Sequence, residues 1–252
     1  MILFEGKKIA DKILKEVKKN AKDLSLAVVL VGDDKPSKVF VEKKEEACVA
    51  SGIGFKIYSF PSSITESSLE KRVKKISAKF SGVVVQLPLP KHINTQKILN
   101  AVPFNKDPDI LTEDNLGKFY CGDFSLLPPV VGAVSMFLKD IKGKNVVLIG
   151  SGRLVGLPLS IWLLHKGATV SVLNRKTKDI SFFTKNADII ISGAGSPSLI
   201  KGRMVKKGAV VLDVGSSFKD GKVKIREIKG KWIDFGNPGD VIKLSNHFKN
   251  GC

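Results

Sequence analysis

Val146-Val147-Leu148-Ile149-Gly150-Ser151-Gly152-Arg153-Leu154-Val155-Gly156-Leu157-Pro158 decides how this chain is read. Four consecutive apolar residues, three of them β-branched, run into glycines and then into Leu159, Ile161, Trp162, Leu163 and Leu164. That order predicts a buried parallel strand, a tight turn and a helix. Glycine suits the turn because the backbone can bend without a Cβ clash. It also lets an anion approach the N–H groups and positive dipole at the helix start. A nucleotide phosphate is the natural ligand of such a turn, which makes Gly150, Ser151, Gly152, Arg153 and Gly156 candidate cofactor-binding residues. Three residues separate Gly152 from Gly156 where G-x-G-x-x-G has two, so glycines that serve packing alone are the alternative.

Outward from this stretch the chain alternates between strand and helix patterns. Upstream, Ile9, Ile13, Leu14 and Val17 mark an amphipathic helix, and Leu24 to Gly32 reads as a strand. Ser37 is placed to cap a helix that runs to Gly52. A strand Phe55 to Phe60, a helix Thr65 to Phe80, an apolar strand from Gly82 stopped by Pro88 and Pro90, and a short helix capped by Asn94 follow. Pro103 to Pro129 reads as irregular, and the boundary is placed in it, giving an N-terminal domain of residues 1–118 and a second domain of residues 119–252. Downstream come a helix Val131 to Ile141, the central strand and helix, and strands Ala168 to Leu173, Asp188 to Ser192 and Val210 to Val214. Lys222 to Phe235 reads as a hairpin. The fold class is therefore α/β, with mostly parallel sheets covered by helices.

A chain of 252 residues with 43% hydrophobic content can bury a substantial core. Lys and Arg number 42 against 24 Asp and Glu, a net charge of +18. Nucleic acid, an anionic membrane surface or small anionic ligands could each account for that excess. The lysines are scattered in ones and twos without interleaved aromatics, which argues against nucleic acid as a partner. No apolar run is long enough to span a membrane, and the apolar run at Met1-Ile2-Leu3-Phe4 is too short for a signal peptide. Cys48, Cys121 and Cys252 lack metal-ligand spacing and read as reduced thiols of a cytoplasmic protein, so no metal is expected.

Phe40 and Lys44 are four apart on the Ser37 helix, and Ala47 and Cys48 continue their face. A lysine on an apolar face is either a proton carrier whose pKa burial lowers or a snorkelling side chain that reaches water. Gln86 falls at the carboxyl end of an apolar strand, where open α/β folds carry their sites. Asp107 and Asp109 can be turn-formers or ligands. After the second strand of the later half comes Asn174-Arg175-Lys176, with two cations and no carboxylate. An acid there would bind a ribose 2′-hydroxyl, whereas Arg175 and Lys176 suit a 2′-phosphate, so NADP is favoured over NAD.

Taken together these residues resemble the methylenetetrahydrofolate dehydrogenase/cyclohydrolase enzymes, the bifunctional FolD family. The resemblance covers nearly the whole chain. It is carried by Val31-Gly32-Asp33-Asp34 with Ser37, Val41, Lys44 and Ala47, and by Val85-Gln86-Leu87-Pro88-Leu89-Pro90 with His92-Ile93. Lys106-Asp107, Asp109, Asn115, Gly117, Val155-Gly156 with Pro158, and Asp213-Val214-Gly215 complete it. The resemblance implies an N-terminal catalytic and folate-binding domain, a Rossmann-type dinucleotide domain, tetrahydrofolate derivatives as substrates and a homodimer. It also implies Lys44 as the central catalytic group, Gln86 as its modulator and Asp109 as the holder of the pterin ring. Phe40, Leu87 and Pro88 would join Gln86 and Asp109 in binding substrate, and Gly193 and Gly215 would join the cofactor site. This chain departs from the family pattern at Phe40, a tyrosine there; at Glu46, a lysine; at Ile110, a glycine; and at Ser151-Gly152, an arginine-serine pair. Its C-terminal Thr-Pro-Val-Pro-Gly-Gly-Val-Gly-Pro segment survives as an echo in Asn237-Pro238-Gly239-Asp240-Val241. Loss of one activity, or a dinucleotide- or folate-binding paralogue, are the alternatives those departures raise.

Overall fold

The computed structural model describes residues 6–196, 199–215 and 231–234, arranged as two compact units that divide between Pro129 and Val130. In the first unit, strand β1 (Ser25–Val31) is central to a parallel sheet of order β2-β1-β3, with β2 at Gly54–Phe60 and β3 at Gly82–Val85. Val29 faces Tyr58 on one side and Val85 on the other. Helix α2 (Lys35–Ser51) carries the chain from β1 to β2, and α3 (Glu66–Ser77) carries it back across to β3. The connections thus diverge from β1 in opposite directions. The carboxyl ends of β1 and β3 form the crevice where open α/β sheets bind ligands.

β1 is apolar without alternation because it is buried on both faces. On one face Ala27, Val29 and Val31 pack with Leu69, Val73 and Ile76 of α3, and with Ile98 and Leu99 of α4 (Thr95–Leu99). Fully burying one such aliphatic side chain is worth about 1.5–3 kcal/mol, so this layer fixes where the strand ends lie.

The second unit repeats the design. Its sheet is parallel in the order β5-β4-β6-β7-β8, formed by β4 (Asn145–Ile149), β5 (Thr169–Leu173), β6 (Ile189–Ser192), β7 (Val210–Asp213) and β8 (Lys231–Asp234). Helix α7 (Gly156–His165) leads from β4 to β5, and α8 (Ile180–Thr184) returns the chain to β6. The switch point here lies between β4 and β6, beyond Ile149. The first helix of the chain, α1, spans Gly6–Lys18. Among the described residues no helix is long and apolar enough to cross a membrane.

Four local readings change. α2 begins at Lys35, capped by Asp34 and not by Ser37, because Pro36 is tolerated in a first helical turn and the Asp34 carboxylate accepts from the Ser37 N–H. The stretch after Pro103 contains α5 (Glu113–Tyr120), capped by Thr112 with Glu113 and Asp114 in its first turn. That helix runs through Lys118 and buries Phe119, so the chain leaves the first unit only after Pro129 and not at residue 118. Helix α6 (Pro129–Ser135) stops short of Ile141, the chain closing in turns where Met136 N donates to Ala133 O and Phe137 N to Val134 O. Lys231–Asp234 is a parallel fifth strand against β7, not one arm of a hairpin. The proposed first arm lies outside the described residues, as do Asn237 to Val241.

Candidate functional site

The carboxyl end of β3 and the buried face of α2 build one constellation. Ser37, Val41, Lys44, Ala47, Cys48 and Ser51 are the buried residues of α2, spaced by three and four. Lys44 is 1% exposed, which rules out snorkelling, and its Nζ donates to Gln86 Oε1 at 2.8 Å. Gln86 is anchored by its backbone N–H on Val29 O at 2.9 Å. Its Nε2 donates to Leu87 O at 3.0 Å. An ammonium only donates and a carbonyl only accepts, so the two partners fix which end of the amide faces Lys44. Phe40 is partly buried, with its ring centre 5.9 Å from Lys44 Nζ, at the outer limit of a cation–π contact. The ring of the family's tyrosine is kept and its hydroxyl is not.

The surroundings of Lys44 are settled by packing. Ser37 Oγ lies 2.6 Å from Asp34 Oδ2 and 3.4 Å from Leu87 O, and its one proton goes to the nearer carboxylate. The hydrogen bonds from Ser37 hold the Asp34 carboxyl below the usual carboxylate range. Glu46 points away from Lys44, paired with Lys43 at 2.7 Å on the exposed side of α2. Cys48, one turn after Lys44, is fully buried, and that burial pushes its thiol up to about 12, so it is no nucleophile. Leu87 is half-buried and Pro88 exposed at the mouth of the same strand end.

Asp107 and Asp109 occupy a second turn, whose Pro108 lies against Gly82 at the start of β3. Both aspartates are buried, 4% and 8% exposed. They differ in role. Asp107 Oδ2 accepts from Leu111 N and Thr112 N, each at 2.8 Å, and from Asn115 Nδ2 at 3.1 Å. Burial raises its pKa, opposed by the Thr112 and Asn115 hydrogen bonds and assisted by the neighbouring Asp109 charge. Asp107 is thus the turn-former. Between these aspartates and Leu111, Ile110 has φ +56°, a conformation that β-branched residues rarely take.

The second unit resolves the question of the glycines position by position. A Cβ on Gly156 would fall 1.9 Å from Gly150 O, one on Gly193 2.5 Å from Val155 Cγ1, and one on Gly215 2.7 Å from Gly195 N. These three glycines serve the close packing of the turns. Gly150 also needs its φ of +112°. Gly152 is different. Among the described residues nothing lies within 4 Å of a Cβ placed on it, and Ser151, Gly152 and Arg153 are all exposed. Among the described residues no side chain caps α7, whose N-cap is Val155. Bare backbone ahead of an uncapped helix start fits a dinucleotide phosphate. Beyond β5, Asn174 braces the turn. Its Oδ1 accepts from Lys176 N at 2.9 Å and its N–H donates to Thr177 Oγ1 at 3.0 Å, which leaves Arg175 and Lys176 exposed side by side.

Two supporting residues escaped the sequence reading. Gln96 Nε2 donates to Leu111 O at 3.1 Å, and Asn100 Oδ1 accepts from Glu113 N at 3.0 Å, so α4 braces the turn that carries Asp109. An amide on a short helix carries no signal of a partner that distant in sequence. Asp34 did carry one, since Asp-Lys-Pro is a helix-start pattern.

Comparison with known proteins places the chain beside folate enzymes in both sequence and fold. Residues 4–109 match the model of the tetrahydrofolate dehydrogenase/cyclohydrolase catalytic domain, and residues 129–233 match that of its NAD(P)-binding domain. The bifunctional protein FolD of a Hydrogenobaculum species is 41% identical over 235 residues, 88% of this chain and 84% of that protein. The structure of the bifunctional FolD methylenetetrahydrofolate dehydrogenase/cyclohydrolase of Campylobacter jejuni aligns with a TM-score of 0.87 at 34% identity, covering 99% of this chain and 96% of that one. The Trypanosoma brucei enzyme, solved with NADP and an inhibitor, aligns with a TM-score of 0.89 at 28% identity, over 99% and 95% of the two chains.

Proposed function

The chain belongs to the tetrahydrofolate dehydrogenase/cyclohydrolase family, and we propose from its geometry which residues carry its two reactions. It oxidises 5,10-methylenetetrahydrofolate with NADP+ to the methenyl form and hydrolyses that cation to 10-formyltetrahydrofolate. The observation that carries the site assignment is the buried Lys44 Nζ bonded at 2.8 Å to Gln86 Oε1.

In this reading Lys44 relays protons as water adds to the methenyl carbon and the ring opens, and Gln86 holds its nitrogen in place. Asp109 takes the amide and amine groups of the pterin ring, and Phe40, Leu87 and Pro88 form the apolar border of the folate. Ser151, Gly152 and Arg153 hold the pyrophosphate of NADP, and Arg175 with Lys176 take its 2′-phosphate. Gly150, Gly156, Gly193 and Gly215 act at one remove, by letting the turns pack. NADP+, when bound, accepts the hydride from the methylene carbon.

We also read the protein as a cytoplasmic homodimer. β2 is an edge strand of its sheet, and Ile57 on it and Val49 on the adjoining helix are 37% and 72% exposed. An edge of this kind suits pairing with a second copy. Free Cys48 and Cys121 agree with a reducing compartment.

The test follows absorbance in purified protein with 5,10-methylenetetrahydrofolate and NADP+, with NAD+ in its place, and with the methenyl compound alone. Turnover in the first and third, and weaker turnover with NAD+, is expected. Hydrolysis without oxidation would remove the cofactor assignment, and silence in all three would leave a binding protein.

A further inference from the structure

The segment 107–112 winds around a single carboxylate oxygen. Asp107 Oδ2 draws in the N–H groups of Leu111 and Thr112, and Ile110 N donates to Asp107 O at 3.3 Å. In this segment the two consecutive N–H groups reach the one oxygen directly after the chain reverses. It does so at Ile110, with φ +56°. That conformation is natural for glycine and unfavourable for isoleucine, whose branched Cβ crowds the backbone. Ile110 is also 3% exposed, so its side chain is held as firmly as its backbone. Asp109 is flanked by the clamp at residue 107 and the strained residue at 110.

We infer that Asp107 is a positioning residue for the folate site: its carboxylate holds Ile110 in the left-handed region and thereby sets the direction of the Asp109 carboxylate. The inference rests on the reading of Asp109 as the group that binds the pterin ring. With glycine at 110 the turn would need little holding. With isoleucine there, relaxation of the strain turns the adjoining peptide, and Asp109 moves with it. A carboxylate that only capped α5 would matter for stability and leave substrate recognition alone.

Asp107→Asn, Ile110→Gly and the double variant separate these cases. Asparagine is nearly isosteric but loses the charge that gathers the N–H donors. Loss of charged hydrogen bonds of this kind corresponds to about a ten- to hundredfold rise in KM for 5,10-methylenetetrahydrofolate in Asp107→Asn. KM for NADP+ should stay unchanged. Ile110→Gly in that background should restore most of the folate KM, since glycine holds the turn without a clamp. Urea unfolding of the four proteins gives a second readout: Asp107→Asn should lower the midpoint less when residue 110 is glycine. Additive effects in KM and midpoint overturn the inference, and so does coupling in the midpoint with an unmoved folate KM. If the unsubstituted protein turns nothing over, the functional reading falls instead, and the unfolding cycle still decides whether Asp107 holds Ile110.

Discussion

Lys44→Met separates stability from chemistry at the centre of the site. Methionine matches the lysine stem in length, so the 1% exposed position stays filled. The 2.8 Å bond to Gln86 goes, and bonds to charged groups are worth about 1.5–3 kcal/mol. Against this, the variant no longer buries an ammonium, a desolvation penalty of several kcal/mol. Gln86 Oε1 loses its donor at a residue 8% exposed, which costs about 1 kcal/mol where water can reach it in part. The terms nearly cancel, and we expect a melting temperature equal to or slightly above that of the parent. Activity should behave differently. General acid-base catalysis contributes about 10²- to 10⁴-fold, or roughly 3–5 kcal/mol of barrier, and all of it is removed from methenyl hydrolysis. The assay follows loss of methenyl absorbance beside a thermal melt of the same preparation. Hydrolysis within tenfold of the parent, or an activity loss explained by unfolding at the assay temperature, would refute the role given to Lys44.

Three further outcomes follow from other parts of the molecule. Replacing Arg175 and Lys176 together by serine should raise KM for NADP+ by roughly ten- to hundredfold, since both cations are exposed and each contact is screened, and leave NAD+ unaffected; equal losses with both cofactors would exclude a 2′-phosphate role. Gly156→Ala puts a Cβ 1.9 Å from a carbonyl oxygen and should destabilise by about 3 kcal/mol or more, whereas Gly152→Ala, with open space around it, should stay within about 0.5 kcal/mol of the parent by urea unfolding and lose cofactor affinity. Asp34→Ala removes the α2 cap and should cost about 1 kcal/mol. Because the Asp34 carboxyl titrates below its ordinary value of 3.8 in the folded protein, that contribution is full at neutral pH and is lost as the pH falls through its lowered folded pKa. Melts of both proteins from pH 7 downward should therefore converge in acid, and a constant gap would assign the cap another origin.

Much of the fold was legible because β1, β3, β4 and β6 are buried on both faces and the elements are bounded by glycine, proline and asparagine, which punctuate an α/β chain clearly. The helix starts at Thr65 and Asn94 were readable for the same reason. Pro36 misled the reading of α2, since proline ends helices in the interior and opens them in the first turn. Lys231–Asp234 was opaque because a four-residue stretch with only Trp232 and Ile233 apolar does not say whether its partner runs with or against it. At the site, Lys44 and Gln86 could be picked out singly, by a helical face and a strand end. Their bond could not, being set by a crossover that joins residues 42 apart. The strain at Ile110 was equally hidden, because an isoleucine in sequence reads as core.

The group that receives the Lys44 proton bond is an amide, and this bears on how the site returns to its starting condition between turnovers. A carboxylate in place of Gln86 would bind the ammonium as an ion pair, and each departure of the proton would leave an uncovered negative charge in a dry place. An amide oxygen accepts from an ammonium and from an amine alike, and its own Nε2 stays tethered to Leu87 O throughout. In the proposed relay the bond between Lys44 and Gln86 therefore survives both loss and return of the proton. A proton could thus come and go without the Gln86 amide having to turn over.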